Sequence, residues 1–115
     1  MNKVIPFPTS AERALDMQLR FAIANRRLLR FTYDGAVRVV EPHDYGVRKG
    51  ETKVLAFQRE KAGRKTDDMR GWRWLETSKM LDCSVLEETF AGSRRAEHQR
   101  HHQWDLLHAR VDETA

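Results

Sequence analysis

LLRFTYDGAVRVVEPHDYGVRKGETKVLAF, residues 28–57, decides the fold. Leu29, Phe31 and Tyr33 share one side of the first segment and Leu28, Arg30 and Thr32 the other, the two-residue period of a strand. Asp34-Gly35 follows, a pair suited to the positive φ that both central positions of a type I′ hairpin turn require. Val37 and Val39 then alternate with Arg38 and Val40. Pro42 has no amide donor, so ladder pairing cannot continue through it unless the strand lies at an edge or bends. A segment at 45–47, a turn at Lys49-Gly50 and a segment at 54–57 complete the stretch. Leu55 and Phe57 share a face with Lys53 and Arg59, which brings the charges out at the strand ends.

Segments 72–75 and 80–86 carry the same signature further on, after a charged loop over 60–71 that holds Gly63 and Gly71. Strands so short and so closely spaced pair with their neighbours. Five of them around one small core predict a mainly β (α+β) domain, a compact barrel or rolled sheet. In the last segment Leu81, Cys83 and Val85 alternate with Asp82 and Ser84, so Cys83 reads as a small core residue rather than a reactive thiol.

Helices are expected at both ends. Thr9-Ser10-Ala11-Glu12 has the form of a capping box, and Leu15, Leu19, Ala22 and Ile23 make one apolar stripe behind it. The first helix should run from about residue 10 to 24, with Asn25 as a left-handed stop. Ser93 can cap a last helix over about 94–110, whose short stripe is Trp104, Leu107 and Val111. Residues 1–92 then form the helix and the β body, and 93–115 a polar, histidine-rich appendage.

Composition narrows the function. The chain has 115 residues, room for one core, and its hydrophobic content is 40%. No apolar run approaches the ~20 residues that span a bilayer. Residues 1–6 lack the apolar block of a signal peptide, so the cytoplasm is the expected compartment. A single cysteine excludes an intramolecular disulfide and a cysteine-rich zinc site. Net charge is +4, from 21 Lys+Arg against 17 Asp+Glu, and the sequence pI of about 9.6 favours anionic partners.

The strand pattern resembles the WYL domain over roughly residues 19–90. Arg38-Val39-Val40-Glu41-Pro42, followed by His43-Asp44-Tyr45-Gly46, is similar to the family's Arg-x-Val-x-Pro stretch. Gly50-Glu51-Thr52-Lys53-Val54-Leu55-Ala56 stands where the family has Gly-x-x-Trp-Tyr-Leu-x-Ala, with Lys53-Val54 in place of the aromatic pair. The segment from Arg73-Trp74-Leu75 to Lys79-Met80 and the closing Val85-Leu86-Glu87-Glu88-Thr89-Phe90 look like the family's last two strands, with Lys79 at an arginine position. The resemblance implies an Sm-like small five-stranded barrel with a leading helix. It also implies a bacterial regulatory module that binds nucleic acid or a nucleotide-like effector through basic and aromatic surface groups.

On that basis Arg38, His43, Lys53, Arg73, Trp74 and Lys79 are the candidate ligand-binding residues, expected to converge on one rim. Arginine would supply a bidentate fork and lysine a point charge. Trp72 and Trp74 lie two apart and project opposite to Arg73 and Leu75, where a helix, a partner copy or a base could cover them. The alternative reading is an interaction protein whose barrel has lost its ligand, with Trp72, Trp104 and Leu107 in a homodimer or adaptor surface. A separate DNA-binding protein would then supply any contact with duplex DNA. His98, His101, His102, Asp105 and His108 would share helical faces, yet no His-Glu-x-x-His motif is present and no metal or cofactor is expected. No Gly-x-Ser-x-Gly or phosphate-binding glycine loop occurs, so the expected module is not an enzyme.

Overall fold

The structure, a computed structural model, describes residues 7–94 and 104–111. Helix α1 spans Ser10–Asn25. It begins at Thr9, whose hydroxyl accepts the Glu12 amide at 3.0 Å while the Glu12 carboxylate accepts the Thr9 amide at 3.3 Å. The expected capping box is therefore present. The helix ends one residue later than the sequence indicates: Arg26, at φ 54°, takes the left-handed position, and its amide reaches back to Ala22 and Ile23. Leu19, Ala22 and Ile23 are buried against Leu29 and Phe31 in one core cluster. Each contributes roughly 1.5–3 kcal/mol if fully removed from water, alanine less.

Strands β1 (Arg27–Tyr33), β2 (Ala36–Arg48), β3 (Glu51–Lys61), β4 (Gly71–Glu76), β5 (Leu81–Thr89) and β6 (Leu106–Arg110) form a six-stranded antiparallel sheet. Its main path runs β4-β3-β2-β1-β5, with β6 added to β2. The sheet is compact but not closed, since β4 and β5 are its two path ends. Rolling still brings its corners together: the Tyr33 hydroxyl, at the end of β1, accepts the Glu76 amide at the end of β4 at 3.0 Å. The tight connections at Asp34-Gly35, Lys49-Gly50 and Ala62-Gly63 all hold positive φ at both residues, as type I′ turns need. The third was not legible, because alanine rarely accepts that conformation.

Pro42 does not end a strand, because the chain bends there, the exception the sequence allows. β2 runs through it as one long element, with Pro42 opposite Ala56 and a register shift before Asp44 ↔ Leu55. Proline is tolerated because the strand bends at this bulge. The expected C-terminal helix is replaced, over Leu106–Arg110, by strand β6. Its physical cause is an open edge: β1 pairs with β2 only up to Val40, and β6 takes the same side of β2 from Asp44 to Val47. The Trp104, Leu107 and Val111 spacing fits a strand as well as a helix. The remainder of that expected helix, with His98, His101 and His102, lies outside the described residues. Among the described residues no helix is long and apolar enough to cross a membrane.

Gly46 is what lets β6 lie so close. A Cβ there would stand 2.3 Å from the Leu106 carbonyl oxygen and 2.9 Å from the Trp104 ring. Gly46→Ala should cost about 1–3 kcal/mol and strip protection from the β6 amides while sparing β3. Hydrogen exchange checks this, and unchanged β6 protection would contradict the packing described.

Candidate nucleic-acid interface

Register divides the predicted site residues between two faces of the sheet. Arg38 lies opposite Phe31 in β1 and is buried on the core side. Its guanidinium donates to Gln58 Oε1 at 3.2 Å and to the Tyr33 carbonyl at 3.3 Å, and sits 5.2 Å from the Tyr33 ring centroid. Arg73 lies opposite Ala56, also on that side, half-buried with Nη1 on the Trp72 carbonyl. Lys53 and Trp74 are on the outer face, opposite Glu76 and Leu55 respectively. Lys79, on the 3-10 turn Thr77–Lys79, is exposed and 3.5 Å from Glu76. Lys53 is 3.5 Å from Glu51. His43 is 0% exposed, with its ring 4.8 Å from Trp72 and 5.4 Å from Phe90. The six do not meet on one rim.

What the structure assembles instead is a row of arginines stacked on aromatic rings across the outer face of β2–β3–β4. Phe57 lies opposite Trp72 and Leu55 opposite Trp74, so their side chains share this face. Arg48 sits 4.8 Å from the Trp74 ring centroid. Arg70 and Arg94 lie 5.6 Å and 3.7 Å from Phe57. Trp74 also contacts Trp104, centroid to centroid 5.5 Å at 49°. The tryptophans project away from the core, as the two-residue spacing implies, with Leu75 on the core side at 1% exposed. They are half-buried rather than bare, because Trp104 and Arg48 cover Trp74 while His43 and Phe57 flank Trp72.

The interface residues proposed for a homodimer are thus largely engaged within the chain. Trp72 and Trp104 have internal ring partners, and Leu107 is 39% exposed on β6. Asp105 accepts the Lys49 amide at 2.7 Å and His108 packs 4.9 Å from Tyr45, so neither stands on a helix with the other histidines. Among the described residues no cluster of histidine, cysteine and carboxylate side chains could hold a metal ion.

On the same face, beneath the arginines, lies a polar anchor that sequence reasoning missed. Glu41, 1% exposed, receives Arg94 at 2.8 and 2.9 Å and Arg59 at 2.7 Å. Asp44, 0% exposed, receives Arg110 at 3.0 and 3.2 Å. Local periodicity could not show this, since Arg94 and Arg110 come from beyond β5 and Arg59 from the neighbouring strand. Burial alone would raise the Glu41 carboxyl, but hydrogen bonds from Arg94 and Arg59 overcome it and hold the group below its ordinary value. Burial pushes the Cys83 thiol up to about 11, which agrees with a core role.

Two concavities lie among the described residues beside these elements. A hollow of about 140 Å³ on the outer face is lined by Leu28, Val39, Arg59, Lys65, Arg70 and two glutamates. A larger cleft, about 550 Å³, lies between α1 and the β3–β4 end, with Glu12, Asp16, Glu51 and Glu76 in its wall against Arg13. Its carboxylates oppose an anionic ligand. Tyr45 donates to Asp16 at 2.7 Å, and with Arg20 this keeps Asp16 ionised against the opposing effect of burial.

Comparison with protein-family models, with curated proteins and with solved structures finds no match to this chain. The geometry therefore carries the functional reading.

Glu41 makes acid stability a direct check. A carboxylate whose folded-state value is depressed contributes stability fully present above about pH 4.5 and lost as pH falls through the lowered value. Urea melts between about pH 6 and pH 3 should show a steeper loss for the wild type than for Glu41→Gln. Parallel pH profiles would contradict the ion-pair assignment. Cys83 should react with a disulfide reagent much more slowly in the native chain than in the urea-unfolded chain, measured by thiolate release.

Proposed function

We propose that this chain is a non-enzymatic, WYL-like regulatory binding module with an Sm-like rolled sheet. It takes single-stranded nucleic acid or a nucleotide-like effector on the outer face of β2–β3–β4. One observation carries the reading: Arg48 on Trp74 and Arg70 on Phe57 set cations and aromatic rings side by side on one sheet face. Bases stack on such rings regardless of sequence, and guanidinium groups meet phosphate with a planar fork. Arg64, Lys65 and Arg70, exposed on the β3–β4 connection, extend the positive surface beside the hollow. Four other arginines do not take part: Arg38 and Arg73 serve the core side, while Arg59 is occupied by Glu41 and Glu88 and Arg94 by Glu41.

The module works in the cytoplasm and leaves any contact with duplex DNA to a separate regulator. A strand-tracking surface of this size suits a short single strand better than a helical groove.

A fluorescent single-stranded oligonucleotide titrated across a salt series tests the proposal. Affinity should fall with salt, at about 0.7 logarithmic units per neutralised phosphate. Arg48→Ala and Trp74→Ala should each weaken it by about 5- to 150-fold, the equivalent of ~1–3 kcal/mol per stacked base. Affinity indifferent to salt, or untouched by both substitutions, would refute this surface.

A further inference from the structure

We propose that residues 104–111 form a self-inhibitory strap, in which the Trp104 indole takes the place on Trp74 that an incoming nucleobase would occupy. The inference rests on the binding face proposed above and adds its regulation. Trp104 meets Trp74 at 5.5 Å between ring centroids, tilted by 49°, an aromatic contact of the kind a base would make. Arg48 remains over Trp74 at 4.8 Å. A base entering this stack must displace one of the two, and Trp104 is the one carried by a separable segment.

The strap is held mostly by polar contacts. Leu106 and Leu107 stay 56% and 39% exposed, so its tip buries little apolar surface. Besides the β2–β6 ladder, two backbone bonds, Asp105 N–H to the Val47 carbonyl and Val111 N–H to the His43 carbonyl, each 2.8 Å, fasten its ends. Asp105 also accepts the Lys49 amide at the exposed tip of the β2–β3 hairpin. The Trp104 indole nitrogen is buried with no acceptor among the described residues, a cost that opening to water removes.

The two ends differ in strength. Arg110 grips the fully buried Asp44 carboxylate with two nitrogens, and Val111 is 2% exposed. The Trp104 end rests on the exposed Asp105 carboxylate, a stacked ring, and the backbone pairing of residues 105–107 with Gly46 and Val47, with no buried charge among these contacts. The strap peels from Trp104 while Arg110 stays fixed, which uncovers Trp74 without stranding a buried charge. Segments with few buried contacts open well below the global unfolding free energy.

Two measurements on the full chain test this. A fluorescein-labelled 15-nucleotide oligothymidine should bind Trp104→Ala at least about fivefold more tightly than wild type, while Trp74→Ala binds more weakly. Amides of residues 105–107 should exchange by a local opening much faster than those of 54–57. Circular dichroism and melting confirm that each variant folds. Weaker or unchanged binding by Trp104→Ala would overturn the strap, since Trp104 would then be part of the platform. Exchange at 105–107 as slow as at 54–57 would overturn it as well. If neither protein binds the oligonucleotide, the proposed binding face fails, and with it the inhibitory role of Trp104.

Discussion

The fold turns on two carboxylates that the bend of β2 carries out of water. Pro42 and the register shift behind it force a kink, and the residues on either side, Glu41 and Asp44, end up 1% and 0% exposed. Buried carboxylates are tolerable only with full ionic and hydrogen-bond partners. Arg59, Arg94 and Arg110 supply them, two from beyond β5. The segment Leu106–Arg110 is therefore drawn back across β2, and as β6 it completes the edge that β1 abandons after Val40.

This constraint also explains why net charge is a poor guide to the surface. Several cations that make the sequence look basic are consumed inside the molecule. Arg38 is bonded to Gln58 and the Tyr33 carbonyl, Arg59 lies between two glutamates, and Arg110 is locked on Asp44. What remains outside is unevenly distributed. Arginines stack on aromatic rings over β3–β4, whereas the cleft beside α1 is walled largely by carboxylates.

The local features were legible in the sequence because local physics fixes them. The Thr9–Glu12 capping box, the α1 stripe, the Asp34-Gly35 turn and the alternation that points both tryptophans away from Leu75 depend on neighbours a few residues apart. Long-range pairings were not. Nothing around Glu41 announces Arg94, and nothing in Leu106–Arg110 distinguishes a strand from a short helix until the empty edge of β2 is known. The candidate site failed to converge for a related reason. A resemblance aligns positions along a chain, but Arg38 and Trp74 fall on opposite faces once the sheet is rolled. Trp74 lies on the outer face, joined by Arg48, Phe57 and Arg70, which alignment had not singled out.

The central claim is that the buried ionic clip on β2 holds the chain end in place. A double-mutant cycle with Asp44→Asn and Arg110→Met, followed by chemical denaturation, measures it most directly. Arg110→Met should cost ~3–5 kcal/mol by leaving the buried Asp44 carboxylate uncompensated, Asp44→Asn less because Arg110 can turn to water, and the double change distinctly less than their sum. Additive losses, or single changes that cost almost nothing, would mean that the chain end is held by something else.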